Sequence, residues 1–281
     1  MIGFLNINKP SGVTSNYIVC KVKRKLGIKK VGHFGTLDPL ACGVLPVAIG
    51  KATKLFDYFL GKHKVYSATF QFGYETDTLD SEGKVLYTSD IIPSKQSIEE
   101  KIRDMLGKQL QIPPQYSAKN INGVRAYELA RKGEEFSVPG KEIEIFDMNL
   151  TKQIDERTFV IYIHCSSGTY IRSIARDLGR NLGTYATMTG LVREEAGIFS
   201  LNNAIGPDDD YLPNIMSVEE VLPGLKRIDL PDEFYIKLCN GMTINYSVSD
   251  SEFIAYCHDE LFGIAVSDNN KIKIKINLKE I

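Results

Sequence analysis

The stretch GHFGTLDPLACGVLP, residues 32–46, decides how this chain is interpreted. It contains one carboxylate, Asp38, in an otherwise uncharged segment that glycines and prolines interrupt. The stretch closely follows a run of lysines and arginines within residues 21–30. A solvated charged face would not need the flanking glycines, whereas a tight loop that presents a reactive group to an anionic ligand would. The pattern therefore makes Asp38 the first candidate for chemistry.

The first 64 residues are strongly basic, although the whole chain has a net charge of −1. They contain eleven lysines and arginines and only two acids, Asp38 and Asp57, so this segment has a charge of +9. Such asymmetry within one chain indicates a surface that binds a polyanion. A helix with a solvated basic side explains residues 21–30 equally well. The near absence of acids over the whole segment favours nucleic acid as the partner.

The composition sets limits on fold and compartment. A chain of 281 residues with 43% hydrophobic residues can build one large domain and a small one, without disulfides or metal to stabilise it. Its five cysteines form no C-x-x-C pair, which predicts a reduced, cytoplasmic protein. We expect no signal peptide and no membrane span. The four histidines are scattered without zinc-ligand spacing, so we also expect no metal site.

Hydrophobic periodicity predicts an α+β fold with a mixed, largely antiparallel sheet flanked by helices. Strands are predicted at residues 3–8, 44–49, 64–74, 141–153, 157–165 and 188–199. Helices are predicted from Thr14 or Ser15 to Gly27, from a capping box of Ser97 and Glu100 to Leu106, at 126–131 and at about 170–181. From about Arg227 the chain changes to short β segments, and the last of these alternates lysine with isoleucine. We therefore expect a large α+β domain at residues 1–225 and a small β-barrel-like domain at 226–281.

Several short motifs occur in a fixed order along the chain. They are NKPSGVTS (8–15), the stretch 32–46, KVY (64–66) with GYETDTLD (73–80), QIPPQYSA (111–118), GVRAY (123–127), and GTYIRS (168–173) with DLG (177–179). Together they resemble the bacterial tRNA pseudouridine synthase B (TruB) family. The resemblance extends from Asn6 to about Phe199, and the tail resembles the small RNA-binding domain of that family, which is of the PUA type.

The resemblance implies an activity and a partner. The family isomerises a uridine in RNA to pseudouridine, at position 55 in the T-loop of tRNA. The glycosidic N–C bond breaks, the uracil rotates and a C–C bond forms, so no cofactor is implied. A stacked uridine has to be flipped out of the loop before it can react. The partner is then the T-arm of tRNA, and the family expectation is a monomer.

Three residues carry the chemistry if the resemblance is transferred motif by motif. Asp38 matches the catalytic aspartate, Arg172 matches its ion-pair partner, and Tyr66 matches the tyrosine that stacks on the target uracil. An ionised carboxylate can act as a nucleophile or as a base, and a guanidinium suits a partner in a closed pocket. The residues alone also allow a solvated helix charge for Arg172 and a core aromatic for Tyr66. Attack on the base, attack on the sugar and proton abstraction all remain open for Asp38.

Further residues are predicted to bind the substrate. His33, Tyr170, Leu191 and Lys9 match positions near the flipped base, and for Lys9 a structural role and a phosphate contact are both open. The candidates for contacts to the RNA backbone are Lys21, Lys23, Arg24, Lys29, Lys30 and Lys64. Two other protein classes remain possible. They are an RNA-binding protein without catalysis and a hydrolase, which would normally need a second acid or a metal.

Overall fold

A nine-stranded mixed sheet forms the centre of the protein. We describe a computed structural model, which covers residues 1–117, 119–121, 123–134 and 136–280 and leaves out the side chain of Leu60. The first thirteen strands are β1 (Gly3–Lys9), β2 (Val31–His33), β3 (Cys42–Ile49), β4 (Lys64–Phe72), β5 (Tyr74–Thr76), β6 (Val85–Thr88), β7 (Gly107–Gln111), β8 (Asn120–Ile121), β9 (Val124–Arg125), β10 (Lys141–Gln153), β11 (Thr158–Cys165), β12 (Ala186–Ala196) and β13 (Phe199–Ser200). The motif at 111–118 includes Ala118, which lies outside the described residues.

The sheet has the order β1-β3-β12-β4-β11-β10-β7, with β2 on β3 and β13 on β12. Strand β12 pairs with β3 in parallel and with β4 antiparallel. The pairs β1–β3, β4–β11 and β10–β11 are antiparallel as well. The α+β prediction with a mixed, largely antiparallel sheet is therefore confirmed. This order places β3, the strand after Asp38, directly beside β12, although the two strands are far apart in the sequence.

The described part of the chain contains seven helices. They are α1 (Ser15–Leu26), α2 (Asp57–Leu60), α3 (Lys95–Asp104), α4 (Ala126–Arg131), α5 (Ile171–Asn181), α6 (Val218–Val221) and α7 (Tyr235–Cys239). The caps of α1 are as predicted, since the Thr14 side chain accepts a hydrogen bond from the Tyr17 N–H and Gly27 is left-handed. Within the described residues, no helix combines the length and the apolar character needed to cross a membrane.

Three element boundaries differ from the prediction. Helix α3 begins at Lys95 because Ser94, and not Ser97, is its N-cap, and the Ser94 side chain accepts a hydrogen bond from the Ser97 N–H. The predicted strand at 188–199 is two strands that fold back on each other at Gly197, whose φ is +61°. Strand β4 ends before Gly73, whose φ of +107° breaks the extended conformation.

A second sheet of five strands forms the C-terminal part. Its strands are β14 (Arg227–Asp229), β15 (Ile244–Asn245), β16 (Glu252–Cys257), β17 (Glu260–Asp268) and β18 (Lys271–Asn277), in the order β14-β16-β17-β18-β15. This bears out the small β domain, and the lysines of β18 are exposed as expected. One apolar cluster joins Phe4 of β1 to Ile254, Ile264 and Leu278. The two sheets therefore share a core.

Candidate active site

The loop between β2 and β3 holds Asp38 at the surface of the protein. The Ser15 hydroxyl, at the start of α1, donates to the Leu37 carbonyl oxygen at 2.8 Å and accepts from the Leu37 N–H at 2.9 Å. The Gly12 N–H donates to the Pro39 carbonyl oxygen at 2.8 Å. The Asp38 side chain remains 37% exposed. The motif at 8–15 therefore fixes the backbone on both sides of Asp38 and leaves its carboxylate accessible.

Lys9 is one of the residues that hold this loop. It is fully buried, and its ammonium donates to the carbonyl oxygens of Pro10 at 2.8 Å, Val13 at 2.7 Å and Pro39 at 3.4 Å. Burial lowers the pKa of the Lys9 ammonium. Because all three N–H donors are already engaged, the structure favours the structural role for Lys9 over a phosphate contact.

Arg172 lies in the first turn of α5 and joins three segments of the chain. Its Nε is 3.0 Å from an Asp38 carboxylate oxygen, so the predicted proximity of the two side chains is confirmed. One Nη is 3.4 Å from an Asp80 carboxylate oxygen and donates to the Thr78 carbonyl oxygen at 2.9 Å. The other Nη donates to the Tyr116 carbonyl oxygen at 3.1 Å. The side chain of Arg172 is only 8% exposed, so this is not a solvated helix charge.

Asp80 is a second carboxylate in this network and was not among the predicted site residues. Asp80 is buried, and its other carboxylate oxygen accepts from the Thr78 hydroxyl at 2.6 Å and from the Glu82 N–H at 3.2 Å. The motif at 73–80 ends on Asp80, so the sequence already offered this residue as a candidate for the site. The guanidinium of Arg172 therefore lies between one accessible carboxylate and one buried carboxylate.

Arg193 was also missed, and it is a buried cation beside the candidate site. It lies on β12, is 1% exposed and ranks among the largest fully buried side chains. Its Nε donates to the Val44 carbonyl oxygen at 2.7 Å, and one Nη donates to the Gly35 carbonyl oxygen at 2.9 Å. Its positive charge also acts on Tyr66, where it lowers the pKa of the phenol. The stretch Arg193-Glu194-Glu195 lies in the predicted strand at 188–199, and its three successive charges are typical of solvated side chains, so the pattern gave no sign that Arg193 is buried.

Two tyrosines line the site from different elements. Tyr66 on β4 is 8% exposed, and burial raises its pKa, which the positive charge of Arg193 partly offsets. Tyr170 is the N-cap residue of α5, and its backbone N–H and carbonyl both bond to the Gln111 side chain. Burial also raises the pKa of Tyr170, and the negative charge of Asp38 contributes to the rise for both tyrosines. Both phenols therefore lie within electrostatic range of the Asp38 carboxylate.

Leu191 and His33 complete the predicted set. Leu191 is 8% exposed on β12, opposite Ala68 of β4. His33 ends β2, and burial followed by the nearby charge of Arg193 lowers its pKa, so its imidazole is neutral at pH 7. The Nδ1 atom of His33 is buried without a hydrogen-bond partner in the described structure. An unpaired polar atom at this position suits contact with a ligand.

The basic residues divide into two groups. Lys23, Arg24, Lys29 and Lys30 lie in or after α1, all but the half-buried Lys23 are exposed, and none forms an ion pair within the described residues. Lys21, in contrast, is 2.5 Å from an Asp208 carboxylate oxygen. Lys64 is 8% exposed and donates to the Lys62 carbonyl oxygen at 2.8 Å, and burial lowers its pKa to about 8. Lys64 is therefore poorly placed for a backbone contact to RNA.

Comparison with solved structures identifies the architecture. A chain in a structure of an H/ACA RNP bound to a substrate RNA containing 2′-deoxyuridine matches 99% of this chain and 85% of its own length, with a TM-score of 0.69 and 20% identity. A chain in the archaeal box H/ACA sRNP Nop10-Cbf5 complex matches 98% of this chain and 85% of its own, with a TM-score of 0.67 and 21% identity. At these identities the likeness shows a shared fold alone.

Sequence comparison shows which protein family this chain belongs to. The family model described as TruB family pseudouridylate synthase (N terminal domain) matches residues 23–171, which include the Asp38 loop. A tRNA pseudouridine synthase B of Clostridium novyi (strain NT) is 40% identical over 286 residues, with 98% of this chain and 99% of that protein covered. A protein of the same name from Fusobacterium nucleatum subsp. nucleatum is 39% identical over 281 residues, with 97% and 98% covered. The chain belongs to the TruB family of pseudouridylate synthases.

Proposed function

We propose that this protein converts uridine 55 in the T-loop of tRNA to pseudouridine, in the cytoplasm and as a monomer. The observation that carries the proposal is the 3.0 Å contact between Arg172 and an Asp38 carboxylate that stays 37% exposed. Relatives at about 40% identity over almost the whole chain bear the name tRNA pseudouridine synthase B, and tRNA as the substrate is inferred from that name. The five free cysteines suit a reducing compartment.

In this proposal the uridine flips out of the T-loop and enters the space beside Asp38. Opening the stack costs a few kcal/mol, which stacking on Tyr66 and contacts to the RNA backbone offset. Arg172 balances the charge of the Asp38 carboxylate, so that it stays ionised when RNA displaces the remaining water. Because burial raises its pKa, the Tyr66 hydroxyl stays protonated and is able to donate a proton or a hydrogen bond. Tyr170, Leu191 and His33 surround the base.

The basic surface around the C-terminal end of α1 is the proposed binding surface for the RNA backbone. Lys23, Arg24, Lys29 and Lys30 supply four charges without a described ion-pair partner. Phosphate contacts of this kind fix orientation rather than sequence, which suits a shape-defined T-arm. Each lost contact should weaken binding and reduce its salt dependence.

The test compares Asp38→Asn with Asp57→Asn, the other acid of the first 64 residues, which is exposed in α2. Each protein is incubated with an unmodified tRNA transcript, and pseudouridine is derivatised and mapped to a nucleotide. We expect Asp38→Asn to form no product and to bind tRNA within a few-fold of the wild type. Asp57→Asn should retain full activity.

Two outcomes would contradict the proposal in different ways. Full activity of Asp38→Asn would remove Asp38 from the chemistry, and tRNA binding without any modification by the wild type would indicate a binding protein. Product at another nucleotide would correct the position and leave the reaction class intact. Free uracil in the wild-type reaction would indicate hydrolysis, because isomerisation releases no base.

A further inference from the structure

We propose that the C-terminal sheet carries a binding site for a thiophilic divalent cation, with Zn²⁺ as the best fit, formed by Asp232, Cys257 and His258. The carboxylate, the thiol sulfur and an imidazole nitrogen of these residues lie within 4.8 Å of one another. Mixed sulfur, nitrogen and oxygen donors are the ligand set that Zn²⁺ accepts. The site lies in the second sheet and is independent of the Asp38 loop.

The spacing of one pair of donor atoms fits a tetrahedral ion. Bond lengths of about 2.0–2.3 Å around Zn²⁺ place neighbouring donors roughly 3.3–3.8 Å apart. The His258 Nε2 is 3.6 Å from an Asp232 carboxylate oxygen, which lies inside that range. The Cys257 sulfur is 3.5 Å from the Pro231 carbonyl oxygen, so the thiol already points at the segment that carries Asp232. Because the three donor atoms lie within 4.8 Å of one another, side-chain rotations would bring them onto one ion, and water would supply the fourth ligand.

The backbone holds the three residues in place. Asp232 begins a 3₁₀ turn that continues into α7, and the Leu230 N–H donates to the Tyr256 carbonyl oxygen at 2.8 Å, which fixes this segment against β16. Cys257 and Glu260 pair across the turn between β16 and β17, and the two turn residues, His258 and Asp259, have φ of 53° and 57°. This left-handed turn directs the imidazole back toward Asp232.

The local charges favour a cation at this position. Arg227 pairs with Asp229 and Asp259, and Lys279 pairs with Glu260. Among the described residues, Asp232 has an ion-pair contact only with His258, and that contact is charged only when the imidazole is protonated. A bound divalent cation would deprotonate the Cys257 thiol that coordinates it.

The sequence pattern could not show this site. Cys257 and His258 are adjacent, and the third donor lies 25 positions earlier, so no zinc-ligand spacing appears. The sequence-based expectation of no metal site therefore rested on spacing alone. The sheet order brings the donors together, because the segment after β14 runs along β16.

Cobalt(II) binding to the full chain, without an affinity tag, provides the test. We expect one equivalent of Co²⁺ to give tetrahedral d–d absorption with a thiolate-to-cobalt band, and Zn²⁺ to displace it. His258→Gln and Asp232→Asn should each weaken binding at least tenfold. Both side chains are well exposed, so these variants keep the fold intact. Cys257→Ser should remove the thiolate band.

Matched controls separate this site from incidental binding. His63→Gln, Asp268→Asn and Cys20→Ser change the same residue types elsewhere in the chain and should leave the Co²⁺ spectrum unchanged. Cys239→Ser should also keep the band, because water completes the coordination. The proposal is overturned if the wild type gives no thiolate band. It is also overturned if the band survives in His258→Gln with unchanged affinity, or depends on Cys239 instead of Cys257.

Discussion

Every nitrogen of the Arg172 guanidinium has a polar partner. One edge faces Asp38, another faces Asp80, and the remaining N–H groups reach carbonyl oxygens of Thr78 and Tyr116. A lysine offers a single charged centre and cannot satisfy such a planar arrangement. The orientation of the accessible carboxylate therefore depends on segments that lie far from it in the sequence. This dependence explains why the motifs at 73–80 and 111–118 accompany the Asp38 loop in one chain.

A substitution of Arg193 should show how far the reaction rate depends on the position of the Asp38 loop. In Arg193→Lys, one ammonium replaces the two separate nitrogens, Nε and Nη, that reach the Val44 and Gly35 carbonyl oxygens, so at least one of these buried carbonyl groups loses its partner at a cost of about 1–3 kcal/mol. A loop that shifts by about 1 Å can lower the rate about 100-fold. We expect the single-turnover rate of pseudouridine formation to fall by about that factor, with unchanged tRNA affinity.

The control for this prediction is Arg157→Lys, a conservative change of a half-buried arginine that bonds to the Ser89 carbonyl oxygen. It should leave the single-turnover rate unchanged. Urea denaturation of both variants separates a catalytic loss from unfolding. Wild-type turnover by a well-folded Arg193→Lys would show that the loop needs no guanidinium.

At the scale of elements, prediction succeeded where the signal was local. Helix α1 has a threonine cap, an apolar stripe and a closing glycine within fourteen residues, and the β10–β11 hairpin has a polar turn between two β-rich runs. It failed where two equal signals competed, as with Ser94 and Ser97 at the start of α3. Strand order determines which distant residues Arg193 contacts and why the Lys9 side chain is buried. No local sequence pattern contains that order, so neither feature could be predicted.

Gly43 allows strand β3, which follows the Asp38 loop, to approach strand β12 closely. Its φ is +101°, and a Cβ at this position would lie 2.3 Å from the Arg193 carbonyl oxygen, where β3 meets β12 in parallel. Gly43→Ala therefore combines backbone strain with a collision against another backbone. We expect a loss of at least about 2 kcal/mol in the free energy of unfolding, measured by urea denaturation.

Gly107→Ala is the matched control for this element. Its φ is +87°, but nothing lies within 4 Å of the added Cβ. It should lose only the cost of the left-handed conformation, about 1–2 kcal/mol. Equal losses in the two variants would mean that the contact between β3 and β12 relaxes freely.

At the scale of the molecule, the basic surface is smaller than the first 64 residues suggested. Lys21 pairs with Asp208, and Lys25 donates to the Asp208 carbonyl oxygen at 2.8 Å. Lys51 and Lys54 donate to carbonyl oxygens of Lys279 and Asn277 in the C-terminal part. The fold therefore uses part of the charge to join distant segments. The charges of this segment that have no ion-pair partner among the described residues are concentrated around the C-terminal end of α1, where we propose that RNA binds.

The shared core predicts that the two sheets unfold together. Leu278 is fully buried in the cluster that contains Phe4, Ile254 and Ile264, so it contacts the region where β1 meets the second sheet. Leu278→Ala should lower the free energy of unfolding by about 2–5 kcal/mol through lost burial and a cavity. In differential scanning calorimetry the wild type should show one transition, and the variant should shift it as a whole.

Ile236→Ala is the control, since this side chain is 72% exposed on α7 and should leave the transition in place. Two separate transitions, with only the second shifted by Leu278→Ala, would mean that residues 1–225 and 226–281 are thermodynamically independent. A single shifted transition would instead make the second sheet part of the support for β1 and β3. Because β3 follows the Asp38 loop directly, a change in the C-terminal sheet would then reach the candidate site through the core rather than through RNA.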